Sequence, residues 1–182
     1  MAHTRQDARA LLNEYVSSES LIKHSLAVEA AMRAYAPVYG EDEELWGMCG
    51  LLHDMDFERY PDEHPHRGVA ILKERGYPKE VCEAILGHVP STGVPRESDM
   101  AKCLYAVDEL SGFIYALAHV RPTNLEGMKP KSVKKNLKKK GFAAKIDREE
   151  IEEGITALGV DRDEHIARVI TALQSISEQL GF

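Results

Sequence analysis

Leu45-Trp46-Gly47-Met48-Cys49-Gly50-Leu51-Leu52-His53-Asp54 carries a largely apolar run into an imidazole and a carboxylate. Cys49, Trp46 and Leu45 stand four, seven and eight residues before His53, a spacing that places them on one helical face and turns His53 inward. Asp42-Glu43-Glu44 sits just upstream, where a helix dipole favours acidic groups, so a helix is predicted from Asp42 to about Met55. A buried imidazole beside a buried carboxylate is unfavourable unless a partner offsets the desolvation, and a divalent metal is the commonest one.

Other candidate ligands share this inward placement. His24 lies in the stripe of Leu21, Val28, Ala31 and Tyr35. His88 follows Val81 and Ile85, and Asp108 follows Ala101 and Leu104 and precedes Gly112 and Tyr115 on the same face. A small border of Ser111 and Gly112 leaves room for an ion beside Asp108. A lone inward histidine reads as a hydrogen-bonded core residue. Four histidines with two inward aspartates would each need a buried partner of their own, so the set reads as a metal site. His64 precedes Pro65, which keeps it out of helical geometry, and is expected to cap a helix over 66–75 beside the cleft. His66 is assigned to the surface, and His3, His119 and His165 to structural or solvated positions.

The rest of the chain has helical punctuation throughout. Thr4-Arg5-Gln6-Asp7 resembles a capping box for a helix to about Ser17. The helix bearing His24 is expected to end near Ala36-Pro37. Gly76 closes 66–75, and Pro78 opens a helix through His88. A loop from Pro90 to Pro95 leads to a long helix from Ser98 to His119. Three more helices are expected after it, the final one opened by Asp161-Arg162-Asp163-Glu164. Strand alternation is lacking, so the fold class is all-α. With 182 residues and 43% hydrophobic content, the chain is expected to form one domain over 1–182. No stretch has the length and apolarity of a membrane span and no signal-peptide region is read at the N-terminus, so a cytoplasmic protein is expected. Cys49, Cys82 and Cys103 have no metal-ligand spacing and read as buried thiols in a reducing compartment. The net charge of −7 argues against a general nucleic-acid binder.

Seven lysines lie between Lys129 and Lys140. They read as a solvated helix face on Val133 and Leu137, or as a wall that attracts an anionic substrate, with Lys134 and Lys135 the best placed. Arg96, after His88, is a further anion-binding candidate.

The order His24, Gly50-Leu51-Leu52-His53-Asp54, His64-Pro65-His66-Arg67-Gly68, Gly87-His88 and Asp108 resembles the HD-domain superfamily of metal-dependent phosphohydrolases. It is most similar to small stand-alone HDIG-type proteins, with a motif-bearing core over about 20–118 and a C-terminal helical extension over about 119–182. Met55-Asp56 replaces the Ile-Gly that names that variant, and a lone His88 stands where HD-GYP proteins carry two adjacent histidines. The resemblance implies an HD-type helical bundle and hydrolysis of a nucleotide or other small phosphate ester through a metal-activated water. His24, His53, Asp54 and Asp108 would offer two nitrogens and two carboxylates to one ion, with Asp54 and His53 central to catalysis. In a two-metal version Asp54 bridges and His64 and His88 hold the second ion. Such ligands suit Mn, Fe, Co, Ni or Zn better than Mg. Asp56, Glu58 and Glu109 are candidate acids or bases, each read more readily as surface or supporting groups. The alternatives are an HD-type non-heme di-iron oxygenase and a non-catalytic ligand-binding module. The partner is a small phosphorylated substrate, and assembly into a homo-oligomer is left open.

Overall fold

The described part of the protein, residues 3–182 of a computed structural model, is helical, with no strand among the described residues. Capping chemistry sets the helix starts. Thr4 accepts from the Asp7 N–H at 3.2 Å while the Asp7 carboxylate accepts from the Thr4 N–H at 2.9 Å, and α1 runs Arg5–Tyr15. Ser18, Asp42 and Ser98 cap α2 (Glu19–Tyr39), α3 (Glu43–Leu52) and α6 (Asp99–Val120) by a single bond each, their side chains accepting from the Leu21, Leu45 and Ala101 N–H groups. Between them lie α4 (His66–Glu74), α5 (Lys79–His88) and a single 3-10 turn at Pro90–Thr92. The C-terminal part comprises α7 (Pro130–Leu137), α8 (Arg148–Leu158), α9 (Arg162–Ser175) and α10 (Ser177–Leu180).

Four local expectations need correction. The second helix continues through Pro37 to Tyr39, because Pro37 lies in the last turn and forfeits a single hydrogen bond there. Gly40, at φ 71°, then closes it, and Tyr39 stacks on Trp46 with ring centroids 5.5 Å apart. The third helix stops at Leu52 rather than Met55. The Gly50 carbonyl accepts from His53 Nδ1 at 2.7 Å, and the chain passes into turns closed by Met55 N–H to Leu52 O and Phe57 N–H to Asp54 O. His64 is not a cap: Pro65 holds the N-cap position of α4. The helix opened at Asp161 is followed by a one-turn helix, so four helices succeed α6, not three.

Helix α6 packs against α2, α5 and α8, and α2 packs along α3. Gly50 permits that last contact: a Cβ there would lie 2.8 Å from the Val28 carbonyl oxygen and 3.0 Å from the Glu29 nitrogen. One charge enters the interior on this side. Glu29 is buried and accepts from Arg5 at 2.5 and 2.9 Å and from Arg33 at 3.0 Å. No helix among the described residues is long and apolar enough to cross a membrane.

His165 ties α9 to α2 and α6 and is buried. Its Nε2 donates to the Ala106 carbonyl at 3.0 Å, which leaves Nδ1 to accept from the Tyr35 hydroxyl at 2.5 Å. Burial pushes its pKa down to about 4 from an ordinary 6.5, more than the Ala106 hydrogen bond restores. The unfolded chain therefore binds a proton that the folded chain refuses between these values. This contribution is complete above pH 6.5 and is lost as pH falls towards 4. Urea unfolding of wild type and His165→Gln across this window should show the wild type losing about 3 kcal/mol more than the variant, at 1.36 kcal/mol per pKa unit. Parallel stability curves would remove His165 from the acid response.

Candidate metal centre

Five segments deliver the cluster. His24 comes from α2, His53 and Asp54 from the end of α3, His64 from the turn before α4, His88 from the last residue of α5 and Asp108 from α6. The Asp54 carboxylate divides the set. Its Oδ2 lies 3.4 Å from His53 Nε2 and 3.8 Å from His24 Nε2, while its Oδ1 lies 3.3 Å from both His64 Nε2 and His88 Nε2. Asp108 Oδ1 completes the first group at 2.9 Å from His24 and 3.4 Å from His53.

The donor chemistry fits a divalent cation. The carbonyls of Gly50 and Ile85 can only accept, so His53 and His88, at 2.7 and 2.5 Å, carry their protons on Nδ1. His64 is held the same way by Asp56, whose Oδ1 is 2.7 Å from Nδ1. In the neutral rings Nε2 is then a bare lone pair directed at the Asp54 carboxylate, as a metal ligand requires. His24 Nε2 and His53 Nε2 also face each other at 3.2 Å, so both imidazoles direct a nitrogen at the same point between Asp54 and Asp108. Two sets of three, His24-His53-Asp108 and His53-Asp54-His88, have ligand atoms within 4.8 Å of one another.

The electrostatics ask for the same thing. Burial opposes a charged His53, but Asp54 and Asp108 outweigh it and hold its pKa well above the ordinary value. Burial also opposes ionisation of both aspartates. His53 prevails over it, aided by His88 at Asp54 and by His24 at Asp108, and both carboxyls lie below their usual range. The cluster thus stabilises positive charge at its centre, which a proton or a metal ion can supply.

The cluster floors a cleft of about 360 Å³, walled by Phe57, Val89, Ile146, Glu109 and Glu150. Asp56 is buried and works indirectly: besides holding His64, its Oδ2 accepts from the Gly68 N–H at 2.6 Å. Gly68 is needed for that approach, since a Cβ there would lie 2.8 Å from Asp56 Cγ. Glu58 accepts from the backbone N–H groups of Ser17 and Ser18 at 3.0 and 2.9 Å, at the start of α2. Glu109 lines the cleft and accepts from the Asp147 N–H at 3.0 Å. Burial, then the charge of Asp108, raises its pKa to about 7.

The proposed anion-binding residues are not brought here. Lys134 pairs with Asp163 at 2.6 Å, and it lines, with Lys135, Lys131, Lys138 and Arg148, a separate groove between α7 and α8. The reason is tertiary: α9 supplies the carboxylate that turns Lys134 away. Arg96 lies over the Tyr105 ring, 3.7 Å from its centroid, and donates to the Gly87 carbonyl at 2.9 Å, bracing the end of α5. His66 is exposed, His3 stacks on Tyr77, and His119 meets Tyr115 and Phe182. The sequence reading did not single out Phe57, Ile146 or Glu150, because their place at the cleft follows from turns and the C-terminal helices rather than from a periodic stripe.

A model of the HD domain matches residues 21–112, just over half of the chain. Ribonuclease Y of Oleidesulfovibrio alaskensis is 34% identical over 98 residues, which cover 52% of this chain and 18% of that protein. Ribonuclease Y of Thermus thermophilus is 34% identical over 107 residues, covering 57% and 17%. The chain thus spans less than a fifth of the length of these two relatives. No solved structure matches it.

Asp56 supplies a direct test of this arrangement. It is expected to touch no ion, yet Asp56→Ala frees the His64 ring, so divalent-ion affinity should fall about 10- to 100-fold with the helical fold retained. Titration with Mn(II) or Zn(II) against a competing chelator, alongside circular dichroism, reads both. Unaltered affinity would show that the His64–Asp56 bond does not serve a metal centre.

Proposed function

The chain belongs to the HD-domain family, and we propose that it is a metal-dependent phosphohydrolase acting on a nucleotide or another small phosphate ester. The observation that carries this reading is the division of the Asp54 carboxylate, one oxygen towards each of two imidazole groups. In this reading His24, His53, Asp54 and Asp108 hold one ion, and Asp54, His64 and His88 hold a second. Nitrogen and oxygen donors without sulfur favour Mn, Fe, Co, Ni or Zn over Mg. The three cysteines do not enter the set: all are buried, and burial raises their thiol pKa values.

When bound, divalent ions bring a water nucleophile into play near neutral pH and polarise a phosphoryl oxygen. The chain's own groups do the rest. Asp54 and Asp108 remain ionised, and the carbonyl-anchored rings of His53 and His88 keep Nε2 directed inward. Val89 and Ile146 give the cleft apolar walls beside the cluster. The relatives are named for action on RNA, but they share only a segment with this chain, and its net charge of −7 favours a small ester over a polyanion.

Asp54→Ala should lose bound metal and at least 100-fold in turnover, while His66→Ala should retain both. Elemental analysis together with phosphate release from a panel of nucleotides, sugar phosphates and short RNA tests this. Full metal occupancy in Asp54→Ala would defeat the ligand assignment. Iron-loaded protein with oxygen-dependent turnover and no phosphate release would replace the hydrolase with an oxygenase, and metal binding without any turnover would leave a binding module.

A further inference from the structure

We propose that the metal cleft continues into a neighbouring cavity that receives the leaving group, and that Phe57 selects leaving groups bearing a flat aromatic ring, such as a nucleobase. The proposal rests on the phosphohydrolase reading and adds a determinant of its specificity. The second cavity has a volume of about 760 Å³ and shares His24, Phe57 and Ile146 with the cleft. In this proposal the ester oxygen of a phosphate on the metal side points past these three residues into the second cavity. Both volumes lie within the range that holds small ligands.

Phe57 is unusual for its surroundings. It is 49% exposed, one of three large apolar residues left open among those described; the other two, Val38 and Val120, line neither cavity. Exposure here is not looseness. The Phe57 N–H donates to the Asp54 carbonyl at 3.0 Å, Asp56 is fixed to His64 and Gly68, and Glu58 is fixed to the start of α2. The His64 ring meets the Phe57 ring at 5.3 Å and 86°, which orients the aromatic surface beside the proposed ligand. An apolar surface held open in a rigid turn next to a polar cluster is suited to stacking.

The remaining walls favour a heteroaromatic occupant over an alkyl chain. Leu21, Pro61 and Ile146 are apolar, Ser18, Ser20 and Lys145 bring hydroxyl and ammonium groups to the same cavity, and the Glu58 carboxylate there is engaged by the Ser17 and Ser18 N–H groups. Lys145 is exposed and, among the described residues, has no carboxylate within ion-pair distance. Its ammonium is therefore free to donate to ring nitrogens, carbonyl oxygens or sugar hydroxyls.

Adenosine 5′-monophosphate and ribose 5-phosphate separate the leaving-group pocket from the chemistry. Both release a primary sugar alkoxide, and they differ in the base. With Mn(II)-loaded enzyme, wild type should prefer the nucleotide in kcat/KM. Phe57→Ala should cut that preference about tenfold, the scale of a lost base–aromatic stack, and Phe57→Trp should restore it. Equal loss on both substrates would overturn the proposal and make Phe57 a support for His64. Equal use of both substrates by wild type would overturn it as well. If neither ester is hydrolysed, the phosphate-release panel decides the phosphohydrolase reading, and calorimetric titration with adenosine decides the pocket. Binding that weakens in Phe57→Ala sustains an aromatic site, and no binding to wild type removes it.

Discussion

The Asp54 carboxylate is the point on which the structure turns. It is an ionised group at the meeting place of α2, α3, α5 and the turn before α4, with an imidazole nitrogen from each within 3.8 Å. A half-buried charge of this kind tolerates little slack, since separating it from its partners leaves it poorly solvated and unpaired. Helix packing and site geometry are therefore one constraint. The close approach of α2 to α3 at Gly50 is also what brings His24 within 3.2 Å of His53.

Helix ends are used twice in meeting that constraint. The last carbonyls of a helix have no partner in their own ladder. At the ends of α3 and α5, His53 and His88 donate Nδ1–H to the carbonyl three residues back, Gly50 and Ile85. One bond satisfies a terminal carbonyl, terminates the helix and fixes the tautomer that leaves Nε2 free. The negative ends of both helix dipoles face the cluster as well, which favours positive charge there. The preference for a cation thus arises from backbone as well as side chains.

What could be read in the sequence follows from the range of the forces involved. Inward stripes and N-caps depend on residues within a turn or two, so the helices bearing His24, His53, His88 and Asp108 were legible, as were the starts at Thr4, Asp42 and Asp161. Interactions across long separations were not. Lys134 is paired with Asp163, 29 residues on, and no local pattern signals that. Pro37 looked like a helix stop because its ring lacks a donor, but Gly40 and the Tyr39–Trp46 stack hold the final turn in place. His64 looked like a cap from its place before Pro65, and Asp56 gives it a different partner.

The segment Asp54-Met55-Asp56-Phe57-Glu58 shows why a stretch without regular structure can be the best-determined part of the site. Its three carboxylates alternate along the chain and bond in three directions. Asp54 faces the imidazoles, Asp56 holds the start of α4 through Gly68, and Glu58 holds the start of α2 through Ser17 and Ser18. Carboxylates accepting from backbone N–H groups at helix starts form strong, charge-assisted bonds where the helix dipole also favours them. Only Met55, buried in the core, contributes apolar anchoring within the segment. Polar bonds to two helix starts therefore do what packing does elsewhere, and they leave the Phe57 ring free to face the cavity. A turn built in this way couples α2 and α4 to the cluster directly: a shift of either helix start displaces His24 or His64 relative to Asp54.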